Sequence, residues 1–301
     1  KETCRLCESS NLEVVLPLNK SPLCDAYLEE KKEQTFYNLN LMSCKECGFT
    51  QIDSVVNPKI IYKDYIYVTT SSSGLEKHFS KYAKEVCKIL NLYSSKLTID
   101  VGSNDGTLLS FFKKEGHNVL GIEPSKKVAK TASIKGIPTL PEYFDNNLAE
   151  SLTETHGKAE LITINNLFAN VDNLKDFVKG IVFLLEDEGI LIIESSYLLD
   201  MIENMVFDFI YHEHLSYFSI EPLMTFFKEF KMRLIRIQHV GTKGGSLRYF
   251  FAKEKSNWGI DKSVEEMLSK EIQITKNKDI FINFENKIEE ARVELIDFLN
   301  Q

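Results

Sequence analysis

The densest group of polar, titratable side chains in this chain of 301 residues is Tyr211-His212-Glu213-His214, followed by Tyr217. A histidine of near-neutral pKa beside a carboxylate is what proton abstraction requires. The two histidines are two residues apart rather than four, so the helical H-E-x-x-H arrangement of zinc proteases is not met. Two imidazoles at that spacing can still share a metal, and a surface cluster without a role has the same composition. On an extended segment both imidazoles face the same side. Tyr62, Tyr65 and Tyr67 form a second polar-aromatic group, which packing alone would also explain.

A second constellation lies upstream. The apolar run Leu97 to Val101 leads into Asp100-Val101-Gly102-Ser103-Asn104-Asp105-Gly106-Thr107 and then a helical pattern. Glycines at a strand-to-helix turn let a ligand approach the backbone, and the exposed amides at the helix start attract a carboxylate. Glu123 ends the next strand about 20 residues on, where a carboxylate accepts both hydroxyl hydrogens of a ribose. A dinucleotide fingerprint needs G-x-G-x-x-G. The spacing here is G-x-x-x-G, with Asp100 just before the first glycine, which suits a cofactor with one ribose, an amino-acid tail and no phosphate. This segment resembles the cofactor loop of class I methyltransferases; NAD binding is the runner-up. Ligands in such folds sit at the carboxyl ends of the strands, which puts Phe144 against the adenine and Asn166, beside Asn165, at the methionine end. An ordinary core aromatic is an equal reading for Phe144.

The third constellation is made of cysteine. Cys4-x-x-Cys7 and Cys44-x-x-Cys47-Gly48 each place two thiolates within reach of one ion, and Gly48 fits the tight turn after the second pair. Two such pairs make a closed tetrahedral zinc site, which is structural. The intervening 36 residues are a long loop, but closure entropy grows slowly with length. A redox role would need a C-x-x-C opening a helix in a βαβ unit. Cys24 and Cys87 have no partner at ligand spacing and read as plain core residues.

The elements that must position these groups fall into two regions. Residues 1–74 have short apolar runs and too little apolar content for a core of their own, so a staple is expected. The turn-forming stretch Thr69-Thr70-Ser71-Ser72-Ser73-Gly74 is the natural boundary. From Leu75 onward, apolar strand-like runs alternate with amphipathic segments, which indicates an α/β fold with a parallel sheet covered on both faces. The expected helices are Leu75 to Leu90, Leu108 to Lys114, Lys126 to Lys135, Leu148 to Thr155, Leu174 to Leu185 and Pro222 to Phe230. The expected strands are Leu97 to Val101, Asn118 to Ile122, Ile137 to Leu140, Leu161 to Ile164, Gly189 to Ile193, Arg233 to His239 and Ser246 to Ala252. Residues 261–301 read as helical and charged, with no later sequence to pack against.

With 43% hydrophobic and 27% charged residues, the composition is that of an ordinary globular protein. No apolar run approaches the roughly 18–20 residues that span a bilayer, and no secretion signal is visible. Cytoplasmic is therefore the default location, and the cysteine pairs read as metal ligands rather than disulfides. Residue 1 is Lys, so the translated protein is expected to begin earlier. A net charge of −8 argues against a nucleic-acid partner gripped through its phosphates. An RNA-modifying methyltransferase would need a basic stripe, whereas residues 1–50 mix both signs. A non-catalytic binding protein with a vestigial pocket remains the other alternative.

Taken in order, C-x-x-C, Ser21-Pro22-Leu23, C-x-x-C-G, Tyr65-x-Tyr67, DVGSNDGTLL, GIEPS, Phe168-Ala169-Asn170-Val171-Asp172, YHEHLSYFS and Gly244-Gly245-Ser246-Leu247-Arg248 closely resemble the nucleotide-sugar C3-methyltransferases. The resemblance spans residues 4 to about 252 and implies a Rossmann-like class I methyltransferase fold with a small N-terminal zinc-binding module. It implies S-adenosylmethionine as cofactor, a structural zinc, and a nucleotide-linked 4-keto deoxysugar methylated at carbon 3. On this resemblance His214 is the base, with Tyr65, Tyr211 and Glu213 around the sugar, and Asp100, Gly102, Asn104, Gly106, Glu123, Phe144 and Asn166 hold the cofactor. Two positions depart from the pattern: Asn170 and Lys243 each stand where a histidine is expected. The implied domains are 1–74, 75–252, and 253–301 as a helical lead-in to a C-terminal domain that this sequence lacks.

Overall fold

The apolar runs pair side by side because each is too hydrophobic to stand at a surface. In the computed structural model, which describes residues 1–24, 28–61, 69, 74–92, 95–277 and 279–301, they form a seven-stranded sheet, and a second, four-stranded sheet carries the N-terminal module. The elements in chain order are β1 (Leu12–Pro17), β2 (Asn40–Cys44), β3 (Thr50–Ile52), α1 (Pro58–Ile61), α2 (Leu75–Leu90), β4 (Leu97–Val101), α3 (Thr107–Lys114), β5 (Asn118–Ile122), α4 (Lys126–Ile134) and β6 (Thr139–Leu140). They continue with α5 (Asn146–His156), β7 (Ala159–Asn165), α6 (Leu174–Leu184), β8 (Leu185–Ser196), α7 (Leu198–Glu203), β9 (Ser216–Tyr217), α8 (Ile220–Glu229), β10 (Met232–Val240), β11 (Ser246–Lys253), α9 (Lys262–Thr275) and α10 (Ile280–Leu299).

The large sheet has the order β10-β11-β8-β7-β4-β5-β6. Strands β4 to β8 are parallel to one another, and β11 runs antiparallel between β8 and β10. The order reverses on either side of β4, which opens a crevice above the carboxyl ends of β4 and β7, the place where such sheets bind ligands. This is the Rossmann-like α/β arrangement expected from the sequence.

Both faces are covered. On one, α2 buries Phe79, Tyr82, Val86 and Leu90 in a cluster with Leu108, Phe112, Leu161, Ile190 and Ile192. On the other, α5, α6 and α8 close over Ile99, Ile162, Ile164, Leu191 and Ile193. The N-terminal module has no core of its own. Its Leu6, Leu16, Leu41, Phe49 and Ile52 belong to the same apolar cluster as Phe168 and Phe218 of the larger body. Its sheet, β1-β2-β3-β9, takes its last strand from the Tyr211–Ser219 segment, with Thr50 opposite Tyr217.

Three expectations need correction. The histidine segment is not extended: His214 N–H donates to the Tyr211 carbonyl (3.0 Å) in a turn, so the two imidazoles point apart. Cys24 is exposed, whereas Cys87 is buried against His117, as expected of a core residue. The C-terminal helices do find packing. α9 lies on the main body, where its buried Glu271 accepts from the Tyr197 hydroxyl (2.9 Å) and the backbone N–H groups of Ile220 and Glu221, and Phe284 of α10 is buried. The joint at 70–73 and the tyrosines Tyr62, Tyr65 and Tyr67 lie outside the described residues. No described helix is long and apolar enough to cross a membrane.

Candidate active site

The loop after β4 is shaped by its left-handed residues. Gly102, Asn104 and Gly106 all have positive φ, and a Cβ on Gly102 would lie 2.8 Å from the Leu167 side chain. Only glycine tolerates both the conformation and the contact. Asp100, buried below the loop, accepts Thr163 Oγ1 (2.6 Å) and Asn165 Nδ2 (3.2 Å). Burial outweighs those bonds and pushes its carboxyl up to about 7. Glu123 closes β5 and uses each oxygen once, Oε2 accepting Asn104 N–H (3.2 Å) and Oε1 accepting Ser125 N–H (2.9 Å). Both oxygens keep lone pairs for two ribose hydroxyls, so the residues fit a nucleoside cofactor. Burial raises this carboxyl too, against the pull of the two amides.

The other expected cofactor residues divide. Asn166 closes β7 in a left-handed conformation, its N–H on the Glu194 carbonyl (2.8 Å). Phe144 packs edge-on against Phe177, with centroids 5.1 Å apart, beside the α5–α6 layer. The neighbouring Tyr143 is exposed.

Beside this crevice lies a buried charge network that sequence reading missed. Glu194 of β8 accepts His78 Nε2 (2.7 Å) and the Arg248 guanidinium (Nε 2.9 Å, Nη2 2.8 Å), and Arg248 stacks over the Tyr82 ring at 3.7 Å. Burial alone would raise the Glu194 carboxyl, but His78 and Arg248 hold it below the usual range. The available signal was a glutamate ending the apolar run ILIIE, with an arginine in the antiparallel strand beside it.

The turn Tyr211 to His214 stands over the same end of the sheet. His214 is buried, with Nδ1 3.1 Å from the Phe209 carbonyl and Nε2 3.1 Å from the Tyr211 hydroxyl. A carbonyl only accepts, so Nδ1 carries the proton and Nε2 offers the lone pair. Burial, then the Lys243 charge, lowers its pKa to about 4, below the near-neutral value expected of a base, and keeps the ring neutral. Glu213 follows Tyr211 in the turn, and its charge reaches Lys243. His212 points the other way, into the N-terminal module, where Nε2 donates to the Asn38 carbonyl. Asn170 ends the 3-10 turn Phe168–Asn170, beside Ala169, whose carbonyl accepts Leu215 N–H (2.8 Å).

Cys4, Cys7, Cys44 and Cys47 converge, their sulfurs all within 4.8 Å of one another. The separations of 3.6 Å (Cys4–Cys47) and 3.5 Å (Cys7–Cys44) match the edges of a tetrahedron; zinc–sulfur bonds of about 2.3 Å set those edges near 3.8 Å. Each knuckle is closed by a backbone bond, Glu8 N to Cys4 O and Gly48 N to Cys44 O. The Cys47 hydrogen bond pulls the Cys4 thiol down to about 5, while its neighbour is driven up, as expected where thiols share protons that a metal would displace. The module is fastened to the larger body by Arg5, whose Nη1 reaches Asp172 Oδ1 at 2.6 Å.

A family model described as "Putative zinc binding domain" matches residues 4–62, and one described as "C-methyltransferase C-terminal domain" matches residues 241–301. Over 273 residues the chain is 28% identical to the C-methyltransferase NovU of Streptomyces niveus, an alignment covering 90% of this chain and 65% of that protein. The chain therefore spans slightly less than two thirds of that relative's length. Similar solved structures include the plantazolicin methyltransferase BpumL (13% identity, 61% of this chain and 86% of that one, TM-score 0.48) and an S-adenosylmethionine-dependent methyltransferase of Clostridium acetobutylicum (16%, 65% and 95%, TM-score 0.47). The fold assignment stands on the strand order itself. A model described as "Methyltransferase domain" matches residues 75–236, more than half of the chain, which thus belongs to the methyltransferase-domain family.

Proposed function

We propose that this chain is an S-adenosylmethionine-dependent C-methyltransferase acting on carbon 3 of a nucleotide-linked 4-keto deoxysugar, with His214 as the base. The observation that carries the reading is the state of His214: a neutral imidazole with its proton fixed on Nδ1 and its Nε2 lone pair turned to a tyrosine hydroxyl. Transfer to oxygen or nitrogen starts from a lone pair already present; transfer to carbon needs a base to make one. The C-methyltransferase relative supports that reaction class. The sugar rests on the resemblance carried by YHEHLSYFS and the motifs around it, and the cysteine pattern supports a cytoplasmic setting.

A ketone at carbon 4 acidifies the hydrogen on carbon 3. The Tyr211 hydroxyl turns to the ketone oxygen and frees Nε2 of His214, which takes the proton as the carbon–hydrogen electrons move onto that oxygen. Asp100, Glu123, Asn166 and the loop Gly102–Gly106 hold the cofactor above β4. When bound, S-adenosylmethionine supplies the electrophilic methyl group that carbon 3 takes up. Orientation between the two ligands supplies much of the rate, and Tyr65 and Glu213 contact the sugar.

A mass-spectrometric screen of nucleotide-linked 4-keto deoxysugars with S-adenosylmethionine tests the reading. It predicts a product heavier by one methyl group, located on carbon 3 by NMR. Methylation of RNA or of an oxygen, with every keto sugar untouched, would overturn it.

A further inference from the structure

Lys243 lies on the loop Thr242–Gly244 between β10 and β11, with a left-handed backbone of φ 53°. That conformation is unfavourable for a lysine and persists only where the surroundings impose it. Here they do. Asn204 Nδ2 donates to the Gly244 carbonyl (2.8 Å), and Gly245 packs so tightly on Asp200 that a Cβ there would lie 2.2 Å from Oδ2. Asp200 in turn is bonded to His239 Nε2 (2.5 Å). Ser246 then pairs with Ser196 at the carboxyl end of β8, so the loop stands over the end of the sheet that binds ligands.

Among the described residues the Lys243 ammonium has no hydrogen-bond or ion-pair partner. Its charge bears on the site nonetheless: burial pulls the pKa of the ammonium down while Glu194 and Glu213 pull it back up, and the charge opposes protonation of His214. The Glu194 charge is already committed to Arg248 and His78. When His214 takes a proton, a second cation appears within reach of Lys243, which is unfavourable unless a negative charge forms between them. An enolate oxygen is such a charge, and it arises in the same step.

We propose that Lys243 stabilises the negative charge that develops on the substrate's carbonyl oxygen while the adjacent carbon loses its proton. This deepens the carbon-acid reading above and rests on it. Lys243 is then a specificity-determining cation: it favours acceptors that become anionic in the transition state.

The test uses Lys243→Met and Lys243→Arg in the whole chain, with the keto sugar nucleotide that the screen identifies. In Lys243→Met, kcat and solvent-deuterium exchange at carbon 3 should both fall by about 100-fold, the usual worth of one oxyanion partner. KM for the sugar and affinity for S-adenosylmethionine should change little, and Lys243→Arg should recover part of the rate. The His214 ring, followed by NMR, should titrate at higher pH in Lys243→Met. A raised KM with kcat intact would show that the ammonium binds a ground-state anion such as a diphosphate, and would overturn the proposal. Unimpaired exchange in Lys243→Met beside an active parent also removes it. A parent that exchanges no sugar hydrogen in the whole panel removes the carbon-acid reading, and this inference with it.

Discussion

His212 and Asn38 join the N-terminal module to the methyltransferase domain: the buried imidazole donates from Nε2 to the Asn38 carbonyl at 3.1 Å, with the Tyr37 ring edge-on beside it. The turn that carries His214 is therefore held from outside its own domain. β9 adds a second hold, pairing Thr50 and Gln51 with Tyr217 and Ser216. His212→Phe keeps the ring and loses the bond, which costs about 1–2 kcal/mol of stability. Methyl transfer should drop several-fold, with affinity for S-adenosylmethionine intact. Faster hydrogen exchange across residues 211–218 should accompany the loss; an unchanged exchange pattern with full activity would mean that the bond positions nothing.

Removal of the metal should act on the same turn. Protein purified without added zinc is expected to hold about one ion per chain. A Cys4→Ser, Cys47→Ser variant should lose that ion, melt at a lower temperature and exchange faster at β3 and β9. Faster exchange confined to residues 4–50, with β9 unaffected, would show the module to be independent of the His214 segment.

Asp100 gives a pH dependence whose sign is fixed by its burial. Its carboxyl lies at about 7 in the folded protein, against about 3.9 in an unfolded chain. Between those values the folded state binds more protons than the unfolded one, so this group's contribution falls as pH rises from about 4 to 7 and stays low above. Asp100→Asn removes the ionisation while keeping the shape and one acceptor. It should be more stable than the parent at pH 8, by at most about 4 kcal/mol for a three-unit shift, and nearly equal to it at pH 4. Thermal melts at both pH values check this; equal melting at pH 8 would contradict it.

Arg248 and Glu194 form a pair in which both side chains are almost inaccessible, 2% and 1% exposed. Arg248→Met strands the carboxylate with His78 alone and should cost about 3–5 kcal/mol. Adding Glu194→Gln should recover much of that loss, so a denaturation double-mutant cycle should show strong coupling. Additive effects would mean that the pair is decorative.

Much of this was legible in the residues. β4, β5, β7 and β8 are continuous apolar runs because both their faces are covered, and Glu123 ends β5 where a ribose carboxylate belongs. The cysteine pairs announce their cluster by spacing alone. What the sequence hides is long-range. Periodicity gives no hint that Ser216 and Tyr217 pair with β3, 165 residues upstream (Gln51 to Ser216), so the opposed directions of His212 and His214 could not be read. The Glu194–Arg248–His78 network joins β8, β11 and α2, and each member alone looks like an ordinary polar residue. The docking of α9 joins an apolar side, with Val264 buried, to the buried carboxylate Glu271, which by residue type reads as part of a solvated surface.

The central claim is that His214 makes a carbon nucleophile, and hydrogen exchange at carbon 3 reads that step without the methyl transfer. The sugar nucleotide is incubated in deuterium oxide with protein and S-adenosylhomocysteine, which has no methyl group to give, and the carbon-3 proton is followed by NMR. The parent protein should wash the signal out. His214→Asn, folded and with zinc and cofactor affinity retained, should slow the loss by about 100-fold or more, while His212→Asn should slow it far less. Undiminished exchange in His214→Asn, together with its loss in His212→Asn, would contradict the assignment.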